Sequence, residues 1–425
     1  MRREYKPFRF RNRPLLLLLA SVLLGAGCAG TVAEQATYPP RSPKAYVGNF
    51  KDNTLSVIDT TAKRVLSTIP IPPGPHGLVI TPNGRWVYVS SDGASTVSVI
   101  DTATDKVVEN IEVGKNPHGL AVTPDGSLVL VAVYDTNSVA FVDSVTRRVV
   151  GSVAIGRPHN IAMHPNGRVA YVGSQTPGKF SLAVVDIPGR AVTTSIALEK
   201  TPRGLEVTPD GRYLYLTQAG VDAVVALDTV TNKITAQIAV GVSPHYAIFT
   251  PNGRQGLTVV QGPSVLTVFN PETNVVQKNI PVGKRPHWVA VSSDGATAFT
   301  TNEESNDVSI VDLTTGAITT VAVGNAPRKI AVQPGPGKRA TSAPSVEIAG
   351  FAFEPATLKV ALNAAVTWFN RDGAPHSVQF QNGPASDTLM PGRSYALEFS
   401  LPGTYEYVCS LHPYMTGSIV VAADS

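Results

Sequence analysis

The sequence predicts an all-β protein, a seven-bladed β-propeller followed by a small β-sandwich, and three observations support that prediction. A Pro-His or Pro-Arg phrase returns seven times between residues 44 and 334, at spacings of 41 to 44 residues. Each interval holds short alternating apolar runs broken by Gly, Pro, Asn and Asp turns, which is strand-and-turn character. The last 81 residues, 345–425, hold seven more β-rich runs, enough chain for one small sandwich.

Length and composition set the frame. The chain has 425 residues, 43% of them hydrophobic and 16% charged, which suits two or three folded domains rather than disorder. The formal charge of +4 is misleading. Residues 1–27 contain Arg2, Arg3, Lys6, Arg9, Arg11 and Arg13 against Glu4 alone. Without them, 29 basic residues face 30 acidic ones, so nothing favours a nucleic-acid partner.

The leader, residues 1–27, runs from that cationic start into Leu15–Leu24 and then Gly25, Ala26 and Gly27 before Cys28. An apolar run of about 10 residues is too short to cross a bilayer as a helix and reads as an export signal. Small residues directly before a cysteine resemble the bacterial lipoprotein lipobox, with Gly25 standing where that family usually has Leu. The resemblance implies lipidation of Cys28, a membrane anchor and a tether over 28–43. Ala29 after the cysteine implies sorting to the outer membrane, facing the periplasm. One thiol then remains, Cys409, in an oxidising compartment where an unprotected thiol is oxidised.

The repeat defines the propeller, 44–334. Pro75–His76–Gly77–Leu78 returns as Pro117–His118–Gly119–Leu120, then at Pro158–His159, Pro202–Arg203, Pro244–His245, Pro286–His287 and Pro327–Arg328. A period in the low forties with four strands per unit is a propeller signature. Strand A follows the Pro-His phrase. Strand B is typified by Trp86–Ser90, strand C by Thr96–Asp101 and strand D by Lys106–Ile111. The first unit lacks strand A and the last has only strand A, so the two ends should complete one blade together and leave no open edge. The phrases Ser98–Val99–Ile100–Asp101–Thr102 and Pro124–Asp125–Gly126 resemble the YVTN-type propeller repeats. Asp59, Asp101, Asp143, Asp186, Asp228, Asn270 and Asp312 close strand C at equivalent places, and tight-turn hydrogen bonding explains them.

The repeated phrase also places a ring at one rim of the central channel: His76, His118, His159, Arg203, His245, His287 and Arg328. Three readings fit: local hydrogen bonding at the start of strand A, a site for an anion or carboxylate ligand, and a metal site. Permanently cationic guanidiniums oppose a bare cation and suit an anion. The nitrous oxide reductases also carry a seven-bladed His-rich propeller, but this chain lacks their extra propeller histidines and two-cysteine copper motif. His164 sits in a turn at the other rim and has no predicted role.

After a Gly/Pro/Lys/Arg linker, 335–344, comes the sandwich, 345–425. Its chemistry lies in Cys409–Ser410–Leu411–His412–Pro413–Tyr414–Met415, with His376 upstream in Ala374–Pro375–His376–Ser377. Two imidazoles and a thiolate with a long axial thioether form the ligand set of mononuclear blue copper. Coordination would also hold Cys409 as thiolate and occupy the lone thiol. With Tyr405–Glu406–Tyr407–Val408 before it, the segment resembles the plastocyanin-like cupredoxins, and its short loop resembles amicyanin. The resemblance implies one type 1 copper ion held by His376, Cys409, His412 and Met415. Ser377 stands where that family usually places an Asn tying the two ligand loops, and its hydroxyl is the group left to reach Ser410.

The expected function is single-electron transfer with redox protein partners, entered at His412 beside Pro413, Tyr414 and Pro375, with the propeller as a docking or ligand-binding platform. Two alternatives stay open. One is a redox enzyme whose propeller centre is fed by the cupredoxin. The other is a copper storage or delivery protein. No catalytic triad, phosphate loop or carboxylate pair is present, so no catalytic residue is assigned.

Overall fold

The structure is a computed structural model and describes residues 42–334, 344–360, 364–381, 383–390, 393–399 and 401–422. The leader, Cys28, nearly all of the 28–43 tether and all of the 335–344 linker except Pro344 lie outside the described residues. No described helix is long and apolar enough to cross a membrane.

Residues 44–332 form seven four-stranded antiparallel sheets. The first complete blade runs Pro75–Ile80, Trp86–Ser91, Thr96–Asp101, Lys106–Glu112, and its pattern is repeated around the ring. The first strands of successive blades touch in a closed circle. Central strands read as continuous apolar runs because both faces are covered by neighbouring blades. Tyr88, Val97 and Val99 of one blade share a core with Leu120, Val129 and Val131 of the next. The outer strands alternate exposed and half-buried positions, as in Lys106–Glu112.

The seventh sheet is built from both ends of the domain. Pro327–Val332 pairs antiparallel with Lys44–Asn49, with Ala45 opposite Val332 and Val47 opposite Ile330. Phe50 N–H donates to the Ala326 carbonyl at 3.0 Å, and Asp52 accepts from the Asn325 backbone and side-chain amides at 2.7 and 2.8 Å. Those bonds hold the Asp52 carboxyl below its ordinary range.

The Asp/Asn series behaves as a turn device. Each side chain accepts from backbone N–H groups two or three residues on, at 2.7–3.1 Å. His164 is likewise structural, its Nε2 3.0 Å from the Gly211 carbonyl and its Nδ1 accepting from Asn166 N–H.

The Pro-His-Gly phrase has its own physical cause. A Cβ on Gly77 would lie 2.1 Å from the His118 carbonyl oxygen of the next blade, and one on Gly119 2.4 Å from that of His159. Only glycine permits that approach. Beside it, a Ser or Thr of strand B bridges the two blades. Gly204 N–H donates to Thr217 Oγ1 at 2.9 Å, and Thr217 Oγ1 donates to the His245 carbonyl at 2.7 Å. The Ser90 hydroxyl joins Gly77 N–H to the His118 carbonyl in the same way. At these two junctions the blades are tied through the backbone of the His positions, not through their rings.

The C-terminal domain is a two-sheet sandwich. One sheet has the order Ala352–Glu354, Ser345–Ala349, Ala364–Asn370, Ser394–Phe399, and the other Thr357–Val360, Thr416–Val421, Gly403–Val408, Gln379–Phe380. Trp368, Phe380, Phe399 and Tyr407 fill the space between them, and Cys409 and Met415 belong to the same core. The edge strand pairs regularly only at Gln379–Phe380, and ahead of it His376 makes an isolated bridge to Leu389. Ser377 N–H donates to Cys409 Sγ and Val378 N–H to Ser386 Oγ, so the ladder does not extend back from Gln379.

Candidate metal centre

Two loops at one end of the sandwich build the centre. The first leaves the strand Ala364–Asn370 and is fixed by Asn370, whose amide donates to the carbonyls of Ala374 and Leu389 at 2.8 and 2.7 Å. The His376–Leu389 bridge, with bonds of 3.0 and 2.7 Å, then sets the His376 backbone. The second loop is a tight turn between Gly403–Val408 and Thr416–Val421. His412 N–H donates to the Cys409 carbonyl, Met415 N–H to the His412 carbonyl, and Cys409 N–H to the Met415 carbonyl, at 2.9–3.1 Å. These bonds fold the three spaced ligand types back onto one another.

Ser377 joins the loops. Its hydroxyl lies 2.7 Å from Ser410 Oγ and accepts from Ser410 N–H at 2.8 Å, while its own N–H donates to Cys409 Sγ at 3.3 Å. The serine therefore makes the tie through a shorter side chain than the expected Asn.

His376 and Cys409 are fully buried, Met415 is 2% exposed, and His412 is half-buried. The Nδ1 atoms of His376 and His412 are 3.2 Å apart, and Cys409 Sγ is 3.8 and 3.6 Å from them. From those three distances, the point equidistant from all three donors lies about 2.1 Å from each, the length of a transition metal–nitrogen bond. Two nitrogens and one sulfur at that radius fit a copper ion in a trigonal plane. Met415 sits on the same loop, buried beside Cys409 in the core.

Two residues that sequence reasoning did not assign support this trio. Asp372 Oδ2 lies 2.9 Å from His376 Nε2, so the ring proton sits there and the Nδ1 lone pair faces Cys409. The same carboxylate accepts from Gly350 and Phe351 N–H at 2.6 and 2.9 Å. Burial pushes the Asp372 carboxyl up, but these two amides and the imidazole outweigh it and hold it below its ordinary range. The turn they fix sets the Phe351 ring edge-on to both imidazoles, at 5.3 and 5.0 Å between centroids. The four-residue offset from Asp372 to His376 was visible in the sequence; the reach of Phe351 was not.

The propeller ring separates into unlike parts. His76, His118 and His159 bring one ligand nitrogen each within 4.8 Å of one another. Arg203, His245, His287 and Arg328 line a rim cavity of about 340 Å³ with His159, together with Arg285 and Glu303, two residues the repeat phrase did not mark. Glu303 faces Arg285 and Arg328 at 3.3 and 3.6 Å.

The comparisons with known proteins agree with both halves of this architecture. A YNCE-like beta-propeller profile matches residues 25–126, and a cupredoxin-like domain profile matches residues 318–421, beginning inside the last blade. Amicyanin-alpha of Methylorubrum extorquens is 37% identical over 82 residues, which are 18% of this chain and 69% of that protein. Amicyanin of Paracoccus denitrificans is 38% identical over 82 residues, 18% of this chain and 63% of that protein. Plastocyanin of Scenedesmus fuscus is 34% identical over 83 residues, 16% of this chain and 85% of that protein. A solved chain of Kuenenia stuttgartiensis hydrazine synthase superposes with a TM-score of 0.60 at 19% identity, covering 68% of this chain and 99% of that one, a likeness of fold alone. The chain thus belongs to the cupredoxins through its C-terminal domain and carries a YNCE-like β-propeller ahead of it.

Proposed function

We propose that the protein is an exported, lipid-anchored electron carrier that binds one copper ion through His376, Cys409, His412 and Met415. The observation that supports this best is the donor triangle, whose centre is one metal–ligand bond from two imidazoles and a thiol. Bound copper would supply a one-electron couple, with sulfur favouring Cu(I) and nitrogen favouring Cu(II). The protein's part is to keep the donors fixed: the Ser377 tie, the Asp372 bond and the burial of His376 and Cys409 leave little room for rearrangement between states.

His412 is the electron port. It is half-buried, and the side chains around it are apolar and exposed: Tyr414 is 71% exposed, Leu411 48% and Phe351 43%, with Pro413 and Pro375 also at the surface. A small, weakly held apolar contact is what a transient redox partner needs. The propeller serves as the platform that docks a partner or ligand, and Cys28 anchors the chain in the outer membrane.

The test is to load the full chain with Cu(II) and record its visible spectrum. An intense blue thiolate-to-copper band that disappears in Cys409→Ala is expected; no band in the wild type, or a band that survives the substitution, refutes the reading. Anchoring is tested by mass spectrometry of the mature N-terminus, which should show a diacylated Cys28 that Cys28→Ser abolishes.

A further inference from the structure

We propose that His76, His118 and His159 form a second metal site, for a divalent first-row transition ion, at the rim of the propeller channel. The inference does not depend on the sandwich centre, because it rests on three side chains of three consecutive blades.

The geometry is close to what three-histidine ligation requires. The rings stand 4.4, 4.9 and 5.6 Å apart between centroids. With all three ligand nitrogens within 4.8 Å of one another, some point lies within about 2.8 Å of each, so shifts of less than about 1 Å per ring reach bonding distance.

Two of the three side chains also lack another hydrogen-bonding task at Nδ1. The blade contacts use the His118 carbonyl and the Gly77 and Gly119 close approaches, and leave the rings out. His76 Nδ1 and His118 Nδ1 are buried with no hydrogen-bond partner. Local hydrogen bonding therefore does not explain these two rings. A buried unpaired nitrogen is costly, and two on rings only 4.4 Å apart between centroids call for a ligand. His159 is different, with the Asn160 amide nitrogen 3.1 Å from its Nδ1. Ligation through Nε2 requires a proton on Nδ1, and a turn of the Asn160 amide supplies the acceptor, since its Oδ1 has no partner. That turn gives up the amide's 2.8 Å bond to the Arg203 carbonyl. Burial pushes all three imidazoles below their ordinary value, His118 to about 4.

The guanidiniums that oppose a bare cation are partly answered. Glu303 faces both Arg285 and Arg328, and Arg328 lies over the Phe50 ring at 3.4 Å. Arg203 remains on the cavity wall that His159 also lines. A metal on the three histidines would keep an open position towards that cavity, where the residual positive charge suits a small anion completing its shell.

The experiment is a copper count on the full chain, because Cu(II) binds most tightly in the divalent series. After loading and desalting, the wild type should hold two equivalents. Cys409→Ala/His412→Ala should hold one, with no blue band and a nitrogen-ligated paramagnetic resonance signal. His76→Gln and His118→Gln, two separate variants in case one fails to fold, should each hold one and keep the blue band. One equivalent in a wild type that shows the blue band, none in the double variant, or no loss of copper in either glutamine variant overturns the site. Absence of the blue band, by contrast, speaks only against the sandwich centre.

Discussion

Replacing Asp372 by Ala removes three acceptor contacts at once: the 2.9 Å contact to His376 Nε2 and the bonds from Gly350 and Phe351 N–H. Gly350 and Phe351 are exposed, so water takes over most of what their amides lose, and fold stability should fall by only about 1 kcal/mol. The contact to His376 is another matter. That ring is fully buried, and without the carboxylate its tautomer and tilt are no longer fixed and the Phe351 ring is released from both imidazoles. Losing such an outer partner of a metal-bound histidine typically weakens affinity about 10–100-fold. Competition for Cu(II) against a chelator of known affinity measures this directly, with urea unfolding of the apoprotein as the stability control. Asp372→Asn, which keeps an acceptor oxygen, should recover part of the loss. Affinity of Asp372→Ala within threefold of the wild type would refute the argument that this carboxylate positions His376.

Three further outcomes are expected. Ser377→Ala leaves Ser410 N–H without its acceptor but next to solvent, so apoprotein stability should drop by about 1 kcal/mol, and the copper loop should exchange its amides faster by hydrogen-exchange mass spectrometry. Met415→Leu roughly conserves volume in the core and should keep the blue band, while loss of the thioether donor raises the reduction potential by favouring Cu(I), read by voltammetry. In the propeller channel, burial raises Glu206 to about 7, against the bond it accepts from Tyr246 OH at 2.6 Å. The fold therefore holds that proton more tightly than the unfolded chain, and its contribution is full below about 4.5 and lost as pH rises through about 7. Glu206→Gln should flatten the decline of urea stability between those limits, a difference of up to about 3 kcal/mol, and parallel profiles would refute the assignment.

What the sequence made legible was whatever repeats or sits close together in the chain. The propeller strands, the Asp/Asn turns and the pairing of Lys44–Asn49 with Pro327–Val332 all follow from a local pattern read seven times over. The Cys409–Met415 loop was legible for the same reason, its donors being three residues apart. The rest depends on distances across a ring or between loops, which no local pattern contains. Glu303 and Arg285 break from the repeated phrase yet meet at the rim. Lys329 and Trp288, in different blades, stack with Nζ 4.2 Å from the ring centroid. Phe351 was hidden because its place over the imidazoles depends on a backbone turn at φ 58°, fixed by an aspartate 21 residues away. The short strand Ala352–Glu354 follows that turn and was missed with it.

The shared seventh sheet has a temporal consequence. Because its innermost strand is Pro327–Val332, a ribosome must emit nearly the whole propeller before Lys44–Asn49 can find its mate. Until then the growing polypeptide exposes two unpaired strand edges. Any nonsense codon ahead of Pro327 should yield a species prone to clump, whereas one just past Gln333 should leave the wheel shut and merely discard the sandwich behind it.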